Sequence, residues 1–288
     1  MFTDMLGNKR YKLNLHTHTT LSDGHKTPME AAEIYRESGY DAIAITDHWK
    51  YGEGGELSGL PIIPGAEYHF IADGDVDKMY HIVALFCERD PLVKKSDSPA
   101  ECAEKILAAG GIAVLAHPAW SLNEPVGLAE KDSLGFTEIY NTVSGKHESN
   151  RAYSGGFVDL VACRGKTPVL FASDDTHYYD DDVTTSAVMV KAESLSREDL
   201  LKAIKNGDLY ATTGPEIHLS VKDGVAHVRC SSAVKVDFFT NLVWAHGNHQ
   251  VGENITEAEL LLKPEVKFVR AEATDSEGRV AYSQIIRV

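Results

Sequence analysis

The chain has 288 residues, room for one large domain or for a domain of about 200 residues with a smaller one beside it. Apolar content of 43% and charged content of 25% are those of a soluble globular protein. The net charge of −15, from 43 acidic and 28 basic residues, argues against a protein that follows long nucleic acid along its phosphates, which needs a basic surface. It leaves a short nucleotide open, because cations can invert the potential of an acidic pocket.

The first ten residues lack the apolar core and small-residue cleavage site of a signal peptide, and no run of 18 apolar residues predicts a membrane span. Cys87, Cys102, Cys163 and Cys230 are widely spaced and form no Cys-x-x-Cys pair, so reduced, mostly buried thiols are expected. Together these features predict a cytoplasmic protein.

Tyr11 to Leu15 alternate like a strand and deliver His16-Thr17-His18 at its end. Side chains at i and i+2 of an extended segment share a face, so both imidazoles can reach one metal ion. Asp23 follows in a polar stretch that contains Gly24 and can turn back to the same place. Thr27-Pro28-Met29-Glu30 is a capping box with proline at the first helical position; it predicts a helix to about Ser38, stopped by Gly39. The pattern then recurs. Thr46-Asp47-His48 follows the apolar run 42–45, Glu67 follows 62–66, and His81 opens 82–86. Ser98-Pro99-Ala100-Glu101 opens a second helix, ended by Gly110-Gly111. His117 ends the run 112–116, residues 150–164 form an amphipathic stretch, and Asp174-Asp175-Thr176-His177 ends the strand 168–173. Ser196 opens a last helix that ends near Gly207. Strand, helix, strand in this order predicts parallel pairing. Almost every predicted strand in the first 180 residues carries His, Asp or Glu at one end, and convergence on one rim is the simplest account.

After Thr212-Thr213-Gly214-Pro215 the period changes to two. Ile217, Leu219 and Val221 alternate, Asp223-Gly224 signals a hairpin, and Val225 to Phe238 resume the alternation. A second hairpin is expected around Asp275 to Gly278. A small all-β, sandwich-like domain is therefore predicted at 215–288, after a first domain at 1–214. His246 and His249 read as turn residues.

At the level of motifs the chain resembles the PHP (polymerase and histidinol phosphatase) family of metal-dependent phosphoesterases. His16 to Gly24 match its His-x-His-(Thr/Ser)-x-x-Ser-Asp-Gly element, Thr46 to His48 its Thr-Asp-His, and Gly65 to Glu67 its Gly-x-Glu. Ala116 to Pro118 match Ala-His-Pro, and Ser173 to His177 the closing Ser-Asp-x-x-His or Asp-x-His element. The resemblance covers roughly residues 10–214. It implies a distorted (β/α)7 barrel and a trinuclear site of two or three divalent ions, Zn, Mn or Fe. His16, His18 and Asp175 would complete one metal with Glu67 as bridge, His81 and His117 a second, and Asp23, His48 and His177 a third. Asp174 competes with Asp175 in adjacent sequence; Asp175 is preferred because it is spaced two from His177. Asp47 is expected to orient an imidazole or cap a helix.

The resemblance further implies hydrolysis of a phosphate ester, mono- or diester, of a small molecule or nucleotide. Glu67, Asp175 and His177 would be catalytic, and a third metal, or a protonated histidine such as His69, two residues after Glu67, would stabilise the leaving alkoxide. The alternatives are an amide or lactone hydrolase with the same metals and a non-catalytic metal- or ligand-binding regulatory module. Asn141 is a lesser candidate; Lys146, His147 and Arg151 are candidates for holding a phosphate or a substrate's distal group, Trp120 for stacking on a base or sugar, and Asp180-Asp181-Asp182 reads as a solvated loop. The expected partner is a small phosphorylated substrate, with no long nucleic acid and no membrane; the β domain is a candidate surface for homo-oligomerisation.

Overall fold

The computed structural model describes residues 1–71, 79–125, 134–244 and 246–288. Both capping boxes form. The Thr27 hydroxyl accepts from the Glu30 N–H while Glu30 accepts from the Thr27 N–H, and the helix Pro28–Glu37 follows. Ser98 and Glu101 do the same for Pro99–Ala108. Each reciprocal pair satisfies two N–H groups that would otherwise lack partners at the helix start. Gly39 and Gly110 stop these helices at φ +76° and +83°, a left-handed geometry open to a residue without a Cβ. The stretch expected over 150–164 is helical over Gly155–Cys163, and Ser196 caps Arg197–Lys205.

The described strands form two sheets. In one, Lys9–Asn14, Ala42–Ala44 and Leu60–Ile63 run parallel. In the other, Ile112–Leu115, Phe136–Asn141 and Val169–Ser173 do. The expectation of parallel pairing throughout fails at Met79–Leu85, which is antiparallel to both Gly65–Ile71 and Ile112–Leu115. The chain between Ile71 and Met79 is too short for a parallel crossover, which takes about a dozen residues. Ala187–Val190 also runs against Lys9–Asn14. Among the described residues the continuous ladders stop short of one closed ring, which is completed only through isolated bridges. The two sheets meet through isolated bridges, Thr17 with Thr176 and His48 with Glu67, and the architecture is mixed α/β.

In the C-terminal segment Asp223 and Gly224, at φ +51° and +76°, turn Ile217–Lys222 into Val225–Thr240. That strand slips register with His249–Leu261 between Arg229 and Lys235, then continues against Phe268–Thr274. Its alternation buries Val228, Cys230, Val236 and Phe238 against Val269 and Ala271. The segment does not form a separate sheet. Val280–Tyr282 pairs with Leu209–Thr212, which pairs with Ala187–Val190 and so with Lys9–Asn14. One apolar core holds Tyr35, Ile43 and Leu60 together with Val228 and Phe238. No helix among the described residues is long and apolar enough to cross a membrane.

Arg270 is fully buried between the C-terminal strands and the helix Gly155–Cys163. Its guanidinium donates to Asp159 at 2.7 and 2.9 Å and to the Tyr153 hydroxyl at 3.1 Å, pairs with Glu272, and lies over the Phe239 ring. Removing one member of such a buried network leaves charges without partners, at a cost of about 3–5 kcal/mol. Arg270→Ala is expected to lower unfolding free energy by about that much in urea titrations, and Arg270→Lys to restore little because an ammonium lacks the planar fork.

Candidate metal centre

The residues singled out at strand ends come together around one cavity of about 290 Å³. Glu67, 1% exposed, stands at its floor on Gly65–Ile71. Its Oε1 is 2.8 Å from His81 Nδ1 and 3.4 Å from His117 Nε2. Its Oε2 is 3.1 Å from His18 Nε2, 3.1 Å from His48 Nδ1 and 3.4 Å from His16 Nε2. Asp175 Oδ1 lies 3.1 Å from both His16 Nε2 and His18 Nε2. Asp23 sits at the mouth, 3.5 Å from His18 and His48 and 3.6 Å from His177. The donors fall into three overlapping groups: His16, His18, Glu67 and Asp175; Glu67, His81 and His117; and His18, Asp23, His48 and His177. His18 belongs to two of them, a sharing that the sequence pattern did not suggest.

Several rings are aimed by bonds on their far side. His16 Nδ1 is 2.8 Å from Glu138, His117 Nδ1 is 3.0 Å from Ser121 Oγ, and His177 Nδ1 donates to the Asp175 carbonyl at 2.7 Å. Each bond leaves Nε2 for the cavity. Two of the site residues hold a left-handed backbone, His117 at φ +29° and Asp175 at φ +53°. Non-glycine residues held there cost about 1–3 kcal/mol each and cluster at functional sites. Gly24 has a related constraint: a Cβ there would sit 2.4 Å from the His18 carbonyl oxygen, so only glycine permits the turn that presents Asp23.

Asp47 and Asp182 differ from expectation, and Asp174 leaves the ligand position to Asp175. Asp47 neither orients an imidazole nor caps a helix. It accepts from the N–H and hydroxyl of Thr19 and of Ser22, fixing the loop between His18 and Asp23. Asp174 turns away from the cavity and accepts from Tyr35, Thr184, Thr185 and Ser186, although burial pushes its carboxyl up to about 6. Asp182 is fully buried, not solvated, and accepts from the N–H groups of His177, Tyr178 and Tyr179. Asn141 donates to Asp175 at 3.1 Å. Lys146 and His147 are engaged by Asp181 and Asp180. Trp120 lines the cavity edge-on to His117 and His81.

His69 stands behind His48 and His81, with ring centroids at 5.2 and 5.6 Å, and its ring accepts from Trp49 Nε1 at 3.2 Å. Only a neutral imidazole can accept, and burial together with His81 lowers its pKa. This geometry does not suit the protonated histidine offered, beside a third metal, for the leaving alkoxide. Glu138, Tyr178, His25 and Glu148 were not singled out, yet Glu138 bonds His16 and the others line the cavity.

The electrostatics fit a cation cage. Burial opposes charging of His18, but the Asp175 and Glu67 carboxylates 3.1 Å away outweigh it and push its pKa up to about 9. Burial likewise opposes His16, and Asp175, Glu67 and Glu138 raise it well above its ordinary value. Burial would raise Glu67 and Asp175, yet the surrounding imidazoles hold both below the usual carboxylate range. For His48 burial wins, and its pKa falls to about 4. Among the described residues four buried side-chain polar atoms have no hydrogen-bond partner, and three of them are His48 Nδ1, His81 Nε2 and Asp175 Oδ1. Such orphans are rare in folded proteins and call for an ion or water. Neutral nitrogen and carboxylate oxygen are donors for Zn, Mn and Fe alike.

The fold is shared with a two-domain protein of Bacteroides vulgatus that contains a predicted PHP-like metal-dependent phosphoesterase. The match covers 99% of this chain and 98% of that one at a TM-score of 0.55 and 15% identity. A looser likeness, TM-score 0.47 and 13% identity over 69% of this chain and 56% of the other, is to a lesion-specific endonuclease of Pyrococcus furiosus. In sequence, an uncharacterised protein of Methanocaldococcus jannaschii is 29% identical over 124 residues, 37% of this chain and 67% of its relative. No family model matches the chain.

Proposed function

We propose that this protein is a metal-dependent hydrolase of the PHP type that cleaves a phosphate ester of a small molecule. The observation that carries the reading is the meeting of nine nitrogen and oxygen donors, six imidazoles and three carboxylates, around one cavity where three buried polar atoms lack partners. Glu67 would span two cation positions, with Oε1 toward His81 and His117 and Oε2 toward His16, His18 and His48. Asp175 would join His16 and His18, and Asp23 would join His48 and His177 at the mouth. Divalent ions bound there supply an activated water and neutralise charge on the phosphate oxygens.

The chain's own residues set what can enter. The cavity volume suits one small ester, and among the described lining residues there is no Lys or Arg to accompany a polyphosphate. Trp120 forms an apolar wall beside His117, where a leaving group can pack.

The test is phosphate release from sugar phosphates, nucleotides, amino-alcohol phosphates and a model diester, by protein stripped with chelator and reloaded with Mn, Zn or Fe. Release that chelator abolishes and metal restores is expected. Reloaded protein inert on every ester, yet cleaving an amide or lactone, would overturn the proposal.

A further inference from the structure

We infer that Glu138 is a positioning residue that couples the cation positions, so that filling one prepares the other; the inference rests on the metal-dependent reading above. Glu138 is 1% exposed and lies on Phe136–Asn141, the strand next to those carrying His117 and Asp175. Its two oxygens do different work. Oε1 is 2.8 Å from His16 Nδ1, which holds the Nδ1–H and turns Nε2 toward Glu67 and Asp175. Oε2 accepts from the His117 backbone N–H at 2.9 Å, at the residue held at φ +29°. The same Oε2 accepts from Asn141 Nδ2 at 2.7 Å, and that amide also donates to Asp175 Oδ2 at 3.1 Å.

One carboxylate beneath the cavity thus touches His16 directly, His117 through its backbone and Asp175 through Asn141. His16 and Asp175 belong to one donor group and His117 to another. Fixing His16 against a cation therefore fixes the oxygen pair that also holds His117 in its strained turn. Glu67 joins the same two groups from inside the cavity, so the donors are tied from both sides. A glutamine at 138 cannot reproduce this, because its amide NH₂ would have to face either His16 Nδ1–H or the donors of His117 and Asn141.

The experiment titrates chelator-stripped protein with Mn or Zn under a competing indicator and counts ions bound per chain. Wild type is expected to fill two positions in one steep step. Glu138→Gln is expected to separate the step in two and to weaken the second about 10- to 100-fold, the usual scale for losing an outer partner of a metal-binding histidine. Glu138→Asp, which keeps the acceptors but shortens the reach, should lie between. The histidine NMR signals of the stripped protein give a readout free of metal: in Glu138→Gln the His16 Nδ1–H resonance should lose its carboxylate-bonded shift. If Glu138→Gln fills both positions with the wild-type curve, the coupling is wrong. If Glu138→Gln does not fold, Glu138→Asp carries the test, and its wild-type curve would equally overturn the inference. Failure of the wild type itself to take up metal would instead sink the metal-dependent reading.

Discussion

Glu67→Gln should remove hydrolysis, with kcat reduced about a thousandfold or more. The side chain is fully enclosed, and its two oxygens face five imidazoles drawn from both sides of the cavity. An amide keeps the volume but offers one acceptor oxygen, so it cannot serve two cation positions at once. Clamping by two metals is worth several kcal/mol of transition-state stabilisation, and each 1.36 kcal/mol is tenfold in rate, which gives on the order of 10³-fold. Metal analysis of the same variant should show at least one ion fewer per chain. The stripped variant should still melt cooperatively, because the strand Gly65–Ile71 keeps its full ladder with Met79–Leu85. A Glu67→Gln protein with wild-type turnover and full metal content would remove the central assignment.

The second large effect is a pH dependence that metal should erase. In stripped protein the pKa of His18 rises from 6.5 to about 9, with burial opposing and the nearby Asp175 and Glu67 carboxylates prevailing. A folded-state pKa above the unfolded one stabilises fully below pH 6.5 and ceases to stabilise as pH rises through 9. A shift of that size corresponds to about 3 kcal/mol, counted once because the depressed pKa values of Glu67 and Asp175 describe the same contacts from the other side. Those carboxylates give an acid limb of the opposite sign: their contribution is present above the ordinary carboxylate range and fails only in strong acid, as pH falls through their lowered values. Melting of stripped protein should therefore decline between pH 6.5 and 9. Metal affinity should rise over the same window, because the cation displaces the proton. Loaded protein should hold its melting temperature there. A stripped protein whose stability is flat or increasing from pH 6.5 to 9 would contradict the proton-filled cage.

Much of this arrangement was legible because two local rules coincide. Alternation marks where a strand ends, and the i, i+2 spacing of His16 and His18 places both rings on one face. The capping boxes at Thr27 and Ser98 were equally readable, since every group they satisfy lies within four residues. Glu138 was overlooked because it sits inside a mixed run, Phe-Thr-Glu-Ile-Tyr-Asn, with no spacing that marks it. The available signal was the run itself: a charged residue in a buried strand needs partners. Asp182 was hidden by its acidic neighbours, since composition does not say which of three aspartates turns inward. The adjacent Asp174 and Asp175 part company through the left-handed backbone at Asp175, a tertiary outcome. The reversal of Met79–Leu85 and the closure through Thr17–Thr176 and His48–Glu67 depend on pairings between distant segments, which no local pattern records.

The pairing of Leu209–Thr212 with Val280–Tyr282 bears on how this protein can be divided. Cutting after Gly214 would strip one side of a four-residue strand whose side chains are all buried, and would remove Tyr282 from the cluster it shares with Ile139, Leu170 and Ala211. A bare apolar edge of that kind is a template for strand addition by a neighbouring molecule. A trimmed N-terminal part would thus tend to aggregate, and the C-terminal segment acts as the edge guard of the sheet whose strands lead to His16, His18 and His48.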